Sequence, residues 1–490
     1  MSHLLLLLSG PALALTVEVQ PGDDIATLTS ALAAGDEVIF ADGVYPLTSA
    51  LSWTGAGTEQ APIVLRAADG ASPVLELRRG KGGSFEAWQI ANLSQASFFQ
   101  VRGLAFRGGE GWDLEDAAFN GLVLSETSDV ELIDVEISRT GSHALVLSGN
   151  HARATVTRPH LHDTRDGDGI SAGCWDASCF VTDSVIDNAW IHGIRGQRHG
   201  VYLAHGSQGN TVRDTVLYDV EYRGLFLGST EFGPPNTVEG NAIWQVGDWA
   251  MTVYGAARVR NNLVWLAGAG IYSGDPDRGA YEDVVISYNT VVDTEDEAVE
   301  LDDWTAAPGM VLSSNALCNP VGLGVDVERQ ADKAGEDVPF ADATISGNVV
   351  CGYVTGLSED LGHLVPGGGW GDFLDVQGWA LYPARDSVLR DAGDPSSGAW
   401  VPEADFNGTP RPGDAPDAGA YEWTQDENPG WVVQESFKDL EADNTQTAQV
   451  LGGCCSKKEG GADTGALVLL PLAGLWGLRR ARRVPEANRR

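Results

Sequence analysis

The chain has 490 residues and carries 31 Lys and Arg against 69 Asp and Glu, a formal charge of −38. So acidic a chain is repelled by nucleic acid and by anionic membrane surfaces, and neither is expected as a partner. A hydrophobic content of 43% excludes global disorder, and the length calls for several domains or one elongated repeat array.

Residues 1–14 read MSHLLLLLSGPALA, a leucine run closed by Ala12-Leu13-Ala14. This is the small-x-small pattern of a secretory cleavage site, so a signal peptide is expected; the alternative is a frayed first strand. Within residues 15–91, Asp24–Ala34 fits a short amphipathic helix. GDEVIFADGVYPL and APIVLRAADG then read as strands with turns. This stretch is expected to cap the first rungs and protect a strand edge.

Residues 92–372 carry a repeat. Apolar-alternating segments recur: Asn120-GLVLSE, His143-ALVLSG, Asp168-GISAG, His199-GVYLAH, Arg223-GLFLGS, Trp249-AMTVYG, Ala269-GIYSGD, Glu297-AVELDD and Leu323-GVDVER. The second residue is always Gly or Ala, and the third is always apolar. The fourth, on the opposite face, runs Val123, Val146, Ser171, Tyr202, Phe226, Thr252, Tyr272, Glu300. Period two means one face in and one face out, and units this short must stack on one another. A second strand is expected in each unit, and Asn241, Asn262, Asn289, Asn315 and Asn348 fall at one equivalent turn position. Stacked Asn side chains there can hydrogen-bond along the axis. The expected fold is all-β: a right-handed parallel β-helix with an N-terminal cap and a small C-terminal cap module. The pattern resembles β-helices of the pectate lyase and polygalacturonase type.

Towards the far end, DFNGTPR (405–411) and DAGAYEW (417–423) resemble a terminal module of bacterial surface β-helix proteins. A cap is therefore expected over 373–423, followed by an acidic linker over 424–453. In residues 454–490, Cys454-Cys455 precede a polar Gly-rich spacer, a short apolar run (466–478) and the basic cluster Arg479-Arg480-Ala481-Arg482-Arg483. The three parts in this order resemble the myxobacterial-type C-terminal sorting tail. That resemblance implies attachment to the outer cell surface through the tail. Both ends point to export into an oxidising compartment, where Cys174, Cys179, Cys318 and Cys351 are expected to form two local disulfides. Three pairings are formally open, and zinc held by Cys174, Cys179 and a nearby His is the alternative.

Seven of the nine His lie between residues 143 and 205. The first positions of successive segments bring His143, Asp168, His199 and Arg223 into one ladder, at about 4.8 Å per strand. Tyr202, Phe226, Tyr272 and Trp249 flank it, and aromatic faces suit sugar rings. Asp168 and His199 are the expected acid/base pair, with Asp166 as the second carboxylate. His143, Arg223 and Arg198 are expected to hold substrate together with the four aromatics.

Part of this patch resembles the polygalacturonase-type glycoside hydrolases. An Asp-Asp pair on one turn there precedes Gly-His-Gly on the next and Arg-x-Lys after it. Here Asp168-Gly169-Ile170-Ser171 and His199-Gly200-Val201-Tyr202 stand in matching registers. Gly167 takes the place of the first Asp, however, and Phe226-Leu227-Gly228 takes that of Arg-x-Lys. Arg198-His199-Gly200 is also similar to the Arg-His-Gly of the chondroitinase B and alginate lyase family, without that family's preceding Lys.

Finally, Glu297, Glu300 and Asp302 alternate outward on one strand. An oxygen-only cluster suits Ca²⁺, and a solvated acidic edge is the alternative. No other cofactor is expected. The resulting expectation is a monomeric, secreted, surface-anchored protein that binds and cleaves a polysaccharide as hydrolase or lyase. The alternative is a non-catalytic adhesin or structural solenoid.

Overall fold

A computed structural model describes residues 14–435, apart from 175–177, 229–232, 275–280, 303, 305–306, 329–342, 357–363 and 398–399. The expected signal peptide and sorting tail lie outside the described residues, as does most of the acidic linker.

The alternation of apolar residues builds short strands that pair in parallel with their counterparts one turn away, giving a right-handed β-helix of about 11 turns. Each turn contributes to three sheets. The first runs from Thr16–Val19 to Thr344–Ser346. The second includes Glu136–Thr140, His160–Thr164, Trp190–Ile194 and Val216–Val220. The third includes Asn120–Ser125, Leu145–Ser148, Ile170–Ala172, Val201–Leu203 and Leu225–Leu227. Further along, Ala242–Val253 and Leu263–Ser273 run unbroken from the second sheet into the third.

The register read from the sequence holds residue by residue. Leu122, Leu145, Ile170, Val201, Leu225, Met251, Ile271, Val299 and Val325 pair in succession and point inward, all at most 1% exposed. The small second residue has a steric cause. A Cβ at Gly224 would come within 2.5 Å of the Ala250 carbonyl oxygen, and one at Gly270 within 2.0 Å of that of Ala298. At these two turns only Gly lets the corner close, while Ala144, Ala250 and Ala298, all buried, show that a single methyl fits at others.

Between the first and second sheets the chain turns through a left-handed residue followed by Asn. Gly240, Asn261, Tyr288, Ser314 and Gly347 have φ between 53° and 67°. Non-Gly residues in this region cost about 1–2 kcal/mol each. The Asn that follows offsets the cost. Nδ2 of Asn241, Asn262, Asn289 and Asn315 each donates to Oδ1 of the next Asn, at 2.8–3.0 Å, and all five ladder residues are fully buried. A shorter ladder, Asn210 to Asn236 at 3.1 Å, runs elsewhere on the first sheet.

The helix expected over 24–34 is a single turn, Ile25–Leu28, capped by Asp24. Thr29 Oγ1 donates back to the Ile25 carbonyl, and Asp36 takes the Ala33 N–H, so side chains compete for the groups that would continue it. Both disulfides are present, Cys174–Cys179 and Cys318–Cys351. That pairing removes the zinc alternative at Cys174 and Cys179.

After the last solenoid strand, Leu364–Pro366, the chain lies along the flank of the second sheet. Phe373, Leu381, Tyr382, Phe406 and Tyr421 bury its outward residues Trp244, Trp265, Cys318 and Cys351. The two motifs near the end supply the fastening. Asp405 accepts the N–H groups of Asn407, Thr409 and Glu422. Asp417 accepts those of Asp391 and Trp423. Arg411, its side chain 1% exposed, pairs with Glu422, donates to Asn261 Oδ1 at 2.9 Å and lies over the Tyr288 ring at 4.3 Å.

Candidate functional site

The corner leading into the third sheet gathers the first-position residues. Asn120 Oδ1 accepts the His143 N–H at 3.2 Å, His143 Nδ1 accepts that of Asp168 at 2.9 Å, and Asp168 Oδ1 accepts that of His199 at 2.9 Å. Each side chain thus holds the backbone of the next turn. The same geometry sets the chemistry. His199 Nδ1 lies 3.0 Å from Asp168 Oδ1 and donates to it, which leaves the Nε2 lone pair free. His143 Nδ1 accepts an N–H, so in its neutral form the proton sits on Nε2. One imidazole is set as proton acceptor and the other as proton donor.

Asp168 itself is enclosed. It is 4% exposed. Burial works to raise its pKa, but the His143 and His199 imidazoles beside it outweigh that and hold the carboxyl well below the usual range. Its carboxylate lies 3.0 Å from His199 Nδ1 and 3.2 Å from His143 Nδ1.

The other expected residues divide by exposure. Asp166 and Arg198 are exposed and paired with each other at 3.3 Å. Arg223 reaches Asp248 at 3.0 Å and lies over Tyr222 at 5.0 Å. Tyr202 and Phe226 stack on one another at 5.0 Å, yet are only 4% and 3% exposed. They wall His199, whose ring centroid is 5.2 Å from each, and do not offer the open faces expected of them. Their outward direction was legible; their burial against Ala204 and Tyr254 was not. Trp249 and Tyr272, half-buried and 5.4 Å apart, remain accessible aromatic surface.

The acidic run lies on the same sheet. Glu300 pairs in register between Tyr272 and Asp326, and Asp302 accepts the Tyr272 hydroxyl at 3.1 Å. Glu297 and Glu300 are half-buried.

Sequence reasoning missed a second group. His160, His162 and His192 stand together on the second sheet, with His162 and His192 directly paired in register. The aligned segments covered only the third sheet. The available signal was His-x-His at 160 and 162, with a third His in the next turn. Burial pushes His160 down to about 3 and His192 to about 4. For His162 burial acts in the same direction, but Asp163 and Glu136 outweigh it and push the imidazole up to about 9.

The architecture is thus a parallel β-helix with two histidine-bearing faces. The sequence profile of the right-handed beta helix region matches residues 110–264. No curated protein matches the sequence. Among solved structures, pectate lyase Pel9A is similar at 12% identity and TM-score 0.48, over 84% of this chain and 96% of that one. An alginate lyase from Paenibacillus sp. str. FPU-7 aligns at 15% identity and TM-score 0.43, over 55% of this chain and 93% of its own. The A-module of the Azotobacter vinelandii mannuronan C-5 epimerase AlgE4 aligns at 16% and 0.43, over 70% and 93%.

Proposed function

We propose that this chain binds a polysaccharide across the third sheet and cleaves it at the corner formed by His143, Asp168 and His199. The observation that carries the reading is a single ionised carboxylate between two imidazoles of opposite tautomeric setting. Glycoside hydrolysis in its usual form needs two carboxyl groups flanking the bond. One carboxylate serving two imidazoles fits elimination from a uronate better. His199 Nε2 takes the proton next to the sugar carboxylate, the bond to the leaving oxygen breaks as a carbon–carbon double bond forms, and His143 Nε2–H protonates that oxygen. Arg223 supplies positive charge beside the corner, and Trp249 and Tyr272 supply stacking surface.

The proposal includes export and tethering to the outer cell surface. Its supports are the leucine run before Ala14, the tail after Cys454 and the two disulfides. We also propose the division into signal peptide, capped solenoid, flank module over 373–423, acidic linker and tail.

The test is a turnover screen of the protein against acidic and neutral polysaccharides, with Ca²⁺ and with chelator. Ultraviolet absorbance of unsaturated ends, lost in His199→Ala, is the expected result. New reducing ends without that absorbance would replace elimination by hydrolysis. A second reading, a non-catalytic surface solenoid, is favoured by one observation: Asn120, His143 and Asp168 each also hold the backbone of the next turn. Absence of products and of saturable glycan binding in the folded protein would select it.

A further inference from the structure

We propose that His160, His162 and His192 form a binding site for a first-row divalent transition-metal ion of the zinc and copper class, bridging two successive turns of the solenoid. The site lies on the second sheet and does not depend on the polysaccharide reading.

His160 and His162 are two residues apart on one strand, so both project from the outward face. His192 stands opposite His162 on the neighbouring strand. One ring nitrogen from each residue lies within 4.8 Å of the other two, and the Nε2 atoms of His160 and His192 are 3.0 Å apart. Zinc–nitrogen bonds of about 2.0–2.1 Å place two ligand nitrogens about 2.8–3.4 Å apart for angles between 90° and tetrahedral. Two of the three therefore already stand at the separation that one ion requires, and a ring rotation brings in the third.

The surroundings have the character of a metal shell. His162 Nδ1 is 3.0 Å from Asp163 Oδ2, and its Nε2 is 3.5 Å from Glu136 Oε1. A carboxylate on one ring nitrogen fixes the tautomer and presents the other to the ion. Glu136 adds an oxygen donor at the place of a fourth ligand. The ring of His160 lies on Trp190 at 4.0 Å and 7°, and that of His192 on Tyr218 at 5.1 Å and 9°, so aromatic neighbours set both ring planes. All three His are half-buried, open enough for an ion to enter. Imidazoles with a single carboxylate select zinc, copper or nickel over Ca²⁺.

The experiment is titration of the full chain with Zn²⁺ by calorimetry and with Co²⁺ by visible absorption. One equivalent is expected to bind and to raise the thermal midpoint. His160→Gln and His162→Gln should each weaken binding at least tenfold, and Asp163→Asn by roughly 10–100-fold. His143→Gln and His205→Gln should leave it unchanged. Circular dichroism checks the fold of each variant. His162→Gln, free of the Trp190 and Tyr218 stacks, is the decisive one if His160→Gln disturbs packing. Absence of a saturable equivalent, binding that survives in folded His162→Gln, or binding lost in His143→Gln would overturn the assignment.

Discussion

Asp168 Oδ1 receives both the backbone N–H of His199, at 2.9 Å, and its Nδ1–H, at 3.0 Å, while Oδ2 lies 3.2 Å from His143 Nδ1. Through its carboxylate towards His199 and its N–H towards His143, Asp168 therefore holds two turns in register and two imidazoles in orientation. Loss of function and loss of fold must be read separately at this residue.

Asp168→Asn makes that separation. The amide oxygen still accepts the His199 N–H, so only a small drop in thermal midpoint is expected. The imidazoles lose their anionic partner, and turnover should fall by about 10³–10⁴-fold, as when the orienting carboxylate of a catalytic His is removed. Unchanged kcat/KM in the folded variant would leave the corner as scaffold alone.

His151 predicts how stability depends on pH. It is 1% exposed, its Nδ1 is 2.6 Å from Thr127 Oγ1, and burial pushes it down from 6.5 to about 4. A depressed folded value means stability that is present above pH 6.5 and lost as the pH falls through 4. The thermal midpoint should decline over that window, and His151→Gln should flatten the decline. An unaltered slope in the variant would assign the effect to other groups.

The Asn ladder predicts a graded cost. Asn289 Oδ1 accepts both the backbone N–H and the Nδ2–H of Asn262, so Asn289→Ala leaves two buried donors unpaired, at about 1–3 kcal/mol each. Among the described residues, Asn241 Oδ1, near the head of the ladder, accepts only the Thr215 N–H. Denaturant unfolding should rank Asn289→Ala as the more damaging.

Arg411→Met tests the flank module. It leaves Glu422 buried without its cation, a change that typically costs about 3–5 kcal/mol, and removes the guanidinium from the Tyr288 ring and from Asn261 Oδ1. Tryptophan fluorescence should report exposure of Trp244 and Trp265 before the solenoid unfolds. Adding Glu422→Gln should restore part of the loss. A single unfolding transition at the parent midpoint would contradict this role for Arg411.

The third sheet was legible because two constraints coincide in each segment: alternation, and a second residue small enough to clear the next carbonyl, as at Gly224. The Asn ladder was legible for the same reason, since a turn that needs a left-handed residue and a buried amide leaves few choices. The exposure of Tyr202 and Phe226 was not legible, because alternation gives direction and not what covers a face. Trp244 and Trp265 illustrate this most plainly. Both point outward as the pattern requires, yet both are buried, by residues more than 100 positions further along the chain. The His160–His162–His192 group escaped because its members sit on the sheet whose segments were not aligned.

The flank module also sets where this solenoid can change length. Asn261, Ser287 and Thr290 hydrogen-bond directly to residues 400–420, so the turns between about 242 and 351 act as a measured berth. Inserting or deleting one turn there would put every mooring point out of step by one strand spacing, about 4.8 Å. Among the described residues, no hydrogen bond joins the turns before residue 210 to residues 400–420. Insertion or removal of a turn there is expected to leave the berth in step.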